Sequence, residues 1–203
     1  MESGLYKISH WIMRLAHLNL LWILFTFIGL VAAGIFPSTT AMFTIVRDWV
    51  RGEHDKPIFS TFWATYKKEF SRSNLLGSIV LIIGIILYVD YFYFLNMQGA
   101  IGTAMSILFI TTAVLYLMLV SFLFPVLAHY DFKTIDYIKY SFIVGASYPL
   151  HTFYIVLSVG VVLYATVVFP VILVFFSGSF LSLLIMRFAY TAFEKIDKKI
   201  TAN

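Results

Sequence analysis

A chain of 203 residues that is 61% hydrophobic and only 12% charged, with mean hydropathy +0.92, departs from soluble domains, in which about a quarter of residues are charged; a water-soluble globular protein is excluded. The lack of cysteine excludes disulfides, thiolate metal sites and a cysteine nucleophile. The net charge of +4 reads as membrane topology and not as nucleic-acid affinity, because Lys and Arg fall between apolar runs and form no sustained basic stripe.

The first seventeen residues read as an amphipathic segment, with Leu5, Ile8, Ile12 and Leu15 set against Lys7, His10, Arg14 and His17. An apolar run over 18–36 follows and is long enough for a helix to cross about 30 Å of hydrocarbon. Pro37 ends it, and Ser38, Thr39 and Thr40 offer caps for a new helix. Met42, Ile45, Val46 and Trp49 recur at helical spacing with Arg47 and Arg51 off that face, and Gly52 is a natural stop. After the turn GEHDKP, a second amphipathic helix carries Phe59, Phe62, Trp63, Tyr66 and Phe70 on one stripe and closes with Lys67 and Lys68. The whole connector, 37–74, is therefore expected at the bilayer interface, with its aromatics and cations touching lipid headgroups or a partner.

Four further spans are expected over 75–95, 104–128, 141–164 and 167–186, the last two merging around Pro149 and Pro170. Helix is the form available to them, since backbone groups in lipid must bond within their own segment. The fold class is all-α: one integral membrane domain over 1–203, a bundle of about five spans with interfacial helices between the first and second. With the C-terminus in the cytoplasm, twelve of the fourteen basic residues lie inside and only Lys7 and Arg14 outside. A rival reading lets 18–46 dip in and return as a hairpin broken near Gly34 and Pro37, which brings all fourteen to one side. A third treats Val31-Ala32-Ala33 as a signal-peptide cleavage site.

Two ionisable residues fall within the spans and are the candidate intramembrane polar site: Asp90 and His151. Asp90 lies about 22 Å along the second span and His151 about 15 Å along the fourth, so a contact between them is allowed. Solvation of Asp90 at an interface, and a satisfied core role for His151, are the simpler assignments. No H-E-x-x-H, Gly-rich phosphate loop or G-x-S-x-G occurs, and Ser177-Gly178-Ser179 reads as a packing face. His129 with Asp131, and His54 with Asp55, lack further ligands nearby. No catalytic residue, metal or cofactor is expected. Gly29/Ala33, Gly102/Ser106, Ser141/Gly145 and Gly178/Ser182 are spaced for close helix approach.

The segments NLLW at 19–22, FPSTTAMFTIVRDWVRGE at 36–53, KKEF and NLLG within 67–77, FPVLAHYD at 124–131 and FPVILVFFSGS at 169–179 resemble the YesL-like family of bacterial integral membrane proteins. That family is a domain of unknown function whose members are associated with uptake and breakdown of plant-type oligosaccharides, beside ATP-driven sugar importers. The resemblance implies a carbohydrate-linked accessory role in the plasma membrane, with an importer as partner, and supplies no catalytic residues. The reading is therefore a non-enzymatic accessory protein in contact with the bilayer and a membrane partner or a second copy of itself. The alternative is a small transporter or channel using Asp90 and His151.

Overall fold

The computed structural model describes residues 4–94 and 99–201. Among the described residues eight helices follow one another: α1 (Gly4–Ile28), α2 (Ile35–Val50), α3 (Ile58–Phe94), α4 (Gly99–His129), α5 (Thr134–Ser147), α6 (Pro149–Val168), α7 (Val171–Phe175) and α8 (Ser177–Thr201). Among the described residues there is no strand, and α1, α3, α4 and α6 are long and apolar enough to cross a membrane. The protein is an all-helical membrane bundle.

The run 18–36 is not one helix. It ends at Ile28, turns over residues 29–34 and re-emerges as α2, antiparallel to α1. Trp22 Nε1 donates to Thr39 Oγ1 at 3.1 Å, Trp11 meets Trp49 edge-on at 5.5 Å, and Arg14 donates to the carbonyl of His54. The physical reason lies at the two glycines. A Cβ on Gly29 would stand 2.3 Å from the Gly34 Cα, and one on Gly34 would stand 2.4 Å from the Thr26 carbonyl oxygen, so only hydrogen at both positions lets the arms close. The turn also bonds within itself, Val31 N to Thr26 O at 2.8 Å and Ile35 N to Val31 O at 3.0 Å, which is what apolar surroundings demand of irregular backbone. Arg14 and His54 thus share one end of the bundle.

The connector does not form two helices separate from the spans. Ten of the sixteen residues of α2 are buried, and the helix packs among α1, α3, α4 and α8. The aromatic segment and the second predicted span form one continuous helix, α3, about 55 Å long at 1.5 Å per residue. Nothing between Phe70 and Leu75 breaks it, because Ser71, Arg72, Ser73 and Asn74 carry no helix-stopping Gly or Pro. The predicted fourth span is divided at Tyr148, since a residue before proline is driven out of helical geometry and Tyr148 sits at φ −129, ψ 62. The predicted fifth is shared between short α7 and the apolar start of α8, which becomes amphipathic beyond Arg187.

Two apolar clusters hold the bundle. One joins Leu18, Leu21 and Phe25 of α1 to Met42, Val46 and Trp49 of α2 and Phe62 and Tyr66 of α3. The other joins Leu76, Phe122, Leu123, Val126, Tyr137, Val144, Ile155 and Phe193 from α3, α4, α5, α6 and α8.

Candidate functional site

Charge gathers at the end of the bundle shared by Arg14, the 51–57 turn and Asp131. Asp48 is 3% exposed and is held on both sides: its Oδ1 lies 2.6 Å from Arg47 Nη2 and its Oδ2 2.9 Å from Lys56 Nζ. Lys56 also reaches Glu53 at 2.6 Å, and the bonds to Glu53 and Asp48 hold its ammonium above the ordinary lysine range, so it stays charged at neutral pH. Arg47 Nη1 donates to the Ala128 carbonyl and so ties α2 to the end of α4. On α3, Glu69 lies 3.3 Å from Arg72 and 3.7 Å from Lys68, and Arg72 in turn reaches Asp131 at 3.5 Å.

Tyr137 organises the adjacent corner. Its hydroxyl accepts from Arg72 Nη1 at 3.2 Å and from the Phe132 amide at 3.0 Å, and donates to the Tyr130 carbonyl at 3.2 Å. Burial pushes the Tyr130 phenol well above its ordinary value, so it remains a neutral donor toward Asp197 at 3.2 Å. A polar cavity of about 230 Å³ opens here between Thr44, Lys68, Glu69, Arg72, Asp131 and Tyr137. Its carboxylates are paired, Glu69 with Lys68 and Arg72 and Asp131 with Arg72, an arrangement that ties helix ends together.

A residue that the pattern of the sequence did not single out controls the opposite face. Asn19 is fully buried. Its Oδ1 accepts from the amides of Gly178 at 2.9 Å and Ser179 at 3.0 Å, while its Nδ2 donates to the carbonyls of Leu173 at 3.2 Å and Val174 at 2.6 Å. One carboxamide thus caps the start of α8 and satisfies the end of α7. A lone Asn in an apolar run is a visible signal; its partners, more than 150 residues away, are not.

The predicted contact residues divide. Phe62 and Tyr66 are buried against Phe25, with rings 5.2 Å apart in each case and Tyr66 Oη donating to the Phe25 carbonyl at 3.3 Å. Phe70 packs half-buried on Tyr66, and Arg47 faces Asp48. The centre of the stripe is therefore spent on α1. What remains outward is Phe59, Trp63 with Lys67 stacked over it at 4.8 Å, Lys68 and Arg51. His129 is walled by Tyr130, Tyr190 and Phe193, and among the described residues no three His, Asp or Glu side chains form a metal-ligand cluster.

Asp90 and His151 are not brought together. Asp90 stands beside Tyr91, whose ring meets Phe109, about 27 Å along α3 from Arg72. His151 lies against Tyr148, whose ring carries Lys195 at 5.8 Å, on the side where α8 reaches Tyr130 through Asp197.

Beyond this polar end the architecture thins. The Asn74 carboxamide bonds the Ala33 carbonyl at 3.0 Å and Gly77 admits the Phe36 ring, so the α1–α2 hairpin stops beside Gly77. The helix α3 continues for seventeen residues past that point, about 25 Å, with α4 antiparallel to it through Tyr116 Oη to the Val80 carbonyl at 3.1 Å and through Tyr91 on Phe109. No residue from 81 to 94 is buried, and in 99–118 only Gly102 is. Ile82, Ile85, Ile86, Ile107, Leu108 and Ile110 are each more than half exposed. This two-helix arm presents apolar side chains on every outward face.

Comparison with known proteins places the chain among relatives of like size. Residues 15–91 match the family described as "Protein of unknown function, DUF624". Over 197 residues the chain is 36% identical to "Uncharacterized protein YesL" of Bacillus subtilis (strain 168), covering 97% of this chain and 93% of that protein. It is 34% identical to YteU of the same organism, over 95% of this chain and 86% of that protein, and 34% identical to YesV, over 96% and 94%. No solved structure matches. The likeness runs through the α1–α2 hairpin, the polar end and the arm alike, and the chain belongs to the YesL-like, DUF624 family.

Proposed function

We propose that this protein is a non-enzymatic accessory subunit of the plasma membrane that docks onto a multi-pass partner through the α3–α4 arm, with its cation-bearing end and C-terminus in the cytoplasm. The observation that carries this reading is the arm, two helices whose outward faces are covered by none of the described residues. In hydrocarbon, apolar exposure alone does not drive association; van der Waals packing and small residues do. The arm offers broad aliphatic faces for such packing, with Ile82, Ile85, Ile107 and Leu108 outward. The cationic end suits the inner leaflet, where Lys and Arg are retained.

The family resemblance supplies the class of partner: the membrane subunits of an ATP-driven sugar importer. Outward Trp63, Lys67 and Lys68 then form a second contact on the cytoplasmic side, and a second copy of the chain is the competing occupant of the arm. Engagement of the buried charges with one another, and the separation of Asp90 from His151, favour this reading over a conducting one. The test is co-purification from native membranes in mild detergent. Ile85→Trp with Leu108→Trp should remove the partner while the protein still inserts and stays monodisperse, and Lys67→Glu with Lys68→Glu should weaken recovery. Equal recovery of the same partner by wild type and both variants rejects the proposal.

A further inference from the structure

A single cavity of about 430 Å³ opens where the N-terminal half of α1, the end of α2 and the middle of α8 meet, walled by Trp11, Trp49, Val50, His54, Leu183 and Arg187. Trp11 meets Trp49 and His54 edge-on, at 5.5 and 5.3 Å, which fixes the side built by α1, α2 and the 51–57 turn. Leu183 and Arg187 stand four residues apart on one face of α8 and set an apolar group beside a cation. Arg187 is exposed, and among the described residues no carboxylate lies within ion-pair distance of it.

This wall is rich in uncommitted nitrogen and holds no acid. Trp22 donates its indole N–H to Thr39, whereas among the described residues those of Trp11 and Trp49 find no protein acceptor. The Nδ1 of His54 is buried and has no hydrogen-bond partner among them either, and an unpaired buried polar atom in a cavity wall calls for one. Arg14, its guanidinium 5.9 Å from the Trp49 ring, adds positive charge at this end. The nearby carboxylates are engaged elsewhere or lie outside the wall: Asp48 holds Arg47 and Lys56, Glu53 holds Lys56, and Asp55 is exposed and does not line the cavity. Glu194, the next acid along that face of α8, is seven residues on, about 10 Å beyond Arg187. Cations and free donors without a counter-charge make an anion site. Donors on α8 and on the Trp–His side favour a tetrahedral anion, which keeps oxygens for both after meeting the guanidinium fork, where a planar carboxylate gives both of its own to the fork. A bare anion would fill little of this volume, and Val50, Leu183 and the indole faces offer apolar surface to a carbon body attached to it.

We infer that this cavity binds a phosphate ester, with phosphoryl oxygens on Arg187 and on the Trp–His side and the carbon body against Val50 and Leu183. The site is separate from the arm and does not depend on the docking role. A phospholipid headgroup and a soluble phosphate ester share this chemistry, so the probes are phosphatidylglycerol and glycerol 3-phosphate, each titrated into detergent-purified full-length protein. Tryptophan fluorescence follows binding, since two of the four tryptophans line the cavity. Saturation by the lipid alone identifies a membrane headgroup as the source, saturation by glycerol 3-phosphate identifies a soluble ester, and saturation by neither overturns the inference. Arg187→Gln should weaken the binding about tenfold or more, as loss of a charge-assisted pair does, and Arg187→Lys should recover part of that loss. Lys139→Gln removes an exposed cation outside the wall and should change nothing. Full affinity in Arg187→Gln, or equal weakening by Lys139→Gln, rejects the site. The fluorescence change should shrink in Trp11→Phe and persist in Trp63→Phe; a signal carried by Trp63 places the ligand elsewhere and sinks the assignment.

Discussion

The carboxamide of Asn19 closes the corner between α7 and α8 by serving two amides and two carbonyls at once. Replacing it with leucine strands four backbone groups, each costing about 1–3 kcal/mol when buried and unpaired. Asn19→Leu should therefore lower stability by about 3 kcal/mol or more, read as thermal unfolding in detergent, with Asn19→Asp intermediate because it keeps the acceptor and loses the donors. Asp48 is the matching case for charge. Asp48→Ala leaves the Arg47 guanidinium, 18% exposed in its side chain, without its carboxylate, and breaking such a pair costs about 3 kcal/mol; the same unfolding measurement checks it, and a change under about 1 kcal/mol would refute the role. At the hairpin tip, Leu30 and Val31 hold φ of 55° and 62°, a left-handed conformation that costs a β-branched residue about 1–2 kcal/mol. Val31→Gly should thus stabilise the protein by about 1 kcal/mol, where a glycine mid-helix would do the reverse.

At the scale of elements, the α1–α2 hairpin depends on α3 being smooth where they touch. A Cβ on Gly77 would fall 2.3 Å from the Phe36 ring, whereas a Cβ on Gly160 of α6 meets nothing within 4 Å. Gly77→Leu should therefore pry the hairpin from α3 and destabilise the protein by several times RT, about 2 kcal/mol. Gly160→Ala should be neutral or stabilising by up to about 1 kcal/mol, so unfolding midpoints moving in the same direction for both would contradict the packing described. The helical character of these elements was legible: the spacing of Met42, Ile45, Val46 and Trp49 marks α2, and the stripe from Phe59 to Phe70 marks the start of α3. What covers those faces was not legible, because periodicity identifies an apolar side and says nothing about its neighbour. Four of the five stripe rings, Phe59, Phe62, Trp63 and Tyr66, turned out to lie against Phe25.

For the whole molecule, the hairpin changes the topology that charge counting alone favours. With Trp11 on Trp49 and Arg14 at His54, the two cations assigned to the outside rejoin the connector at one end of the bundle, the end proposed above to face the cytoplasm. Because the chain contains no cysteine, single cysteines report position directly. His10→Cys, Asp55→Cys and Lys198→Cys should all be shielded from an impermeant thiol reagent in intact cells, while Tyr93→Cys near the far end of the arm should react. Labelling of residue 10 and residue 55 from opposite sides would break the hairpin assignment.

Composition and periodicity by themselves determined the solvent and the secondary structure: a chain this apolar must bury or face lipid everywhere, and in lipid its backbone has to close hydrogen bonds within helices. They also marked Gly34 and Pro149 as points of interruption, since glycine and proline act through local backbone sterics; Pro37, expected to end the first helix, instead sits in the first turn of α2. Only the tertiary structure decided that Gly29 and Gly34 close a hairpin, that α2 is central, that Asn19 holds a corner 150 residues away, and that Asp90 and His151 stand apart. Those are outcomes of which surfaces fit together, and fit depends on shape at contacts between segments far apart in the chain, which no local pattern encodes.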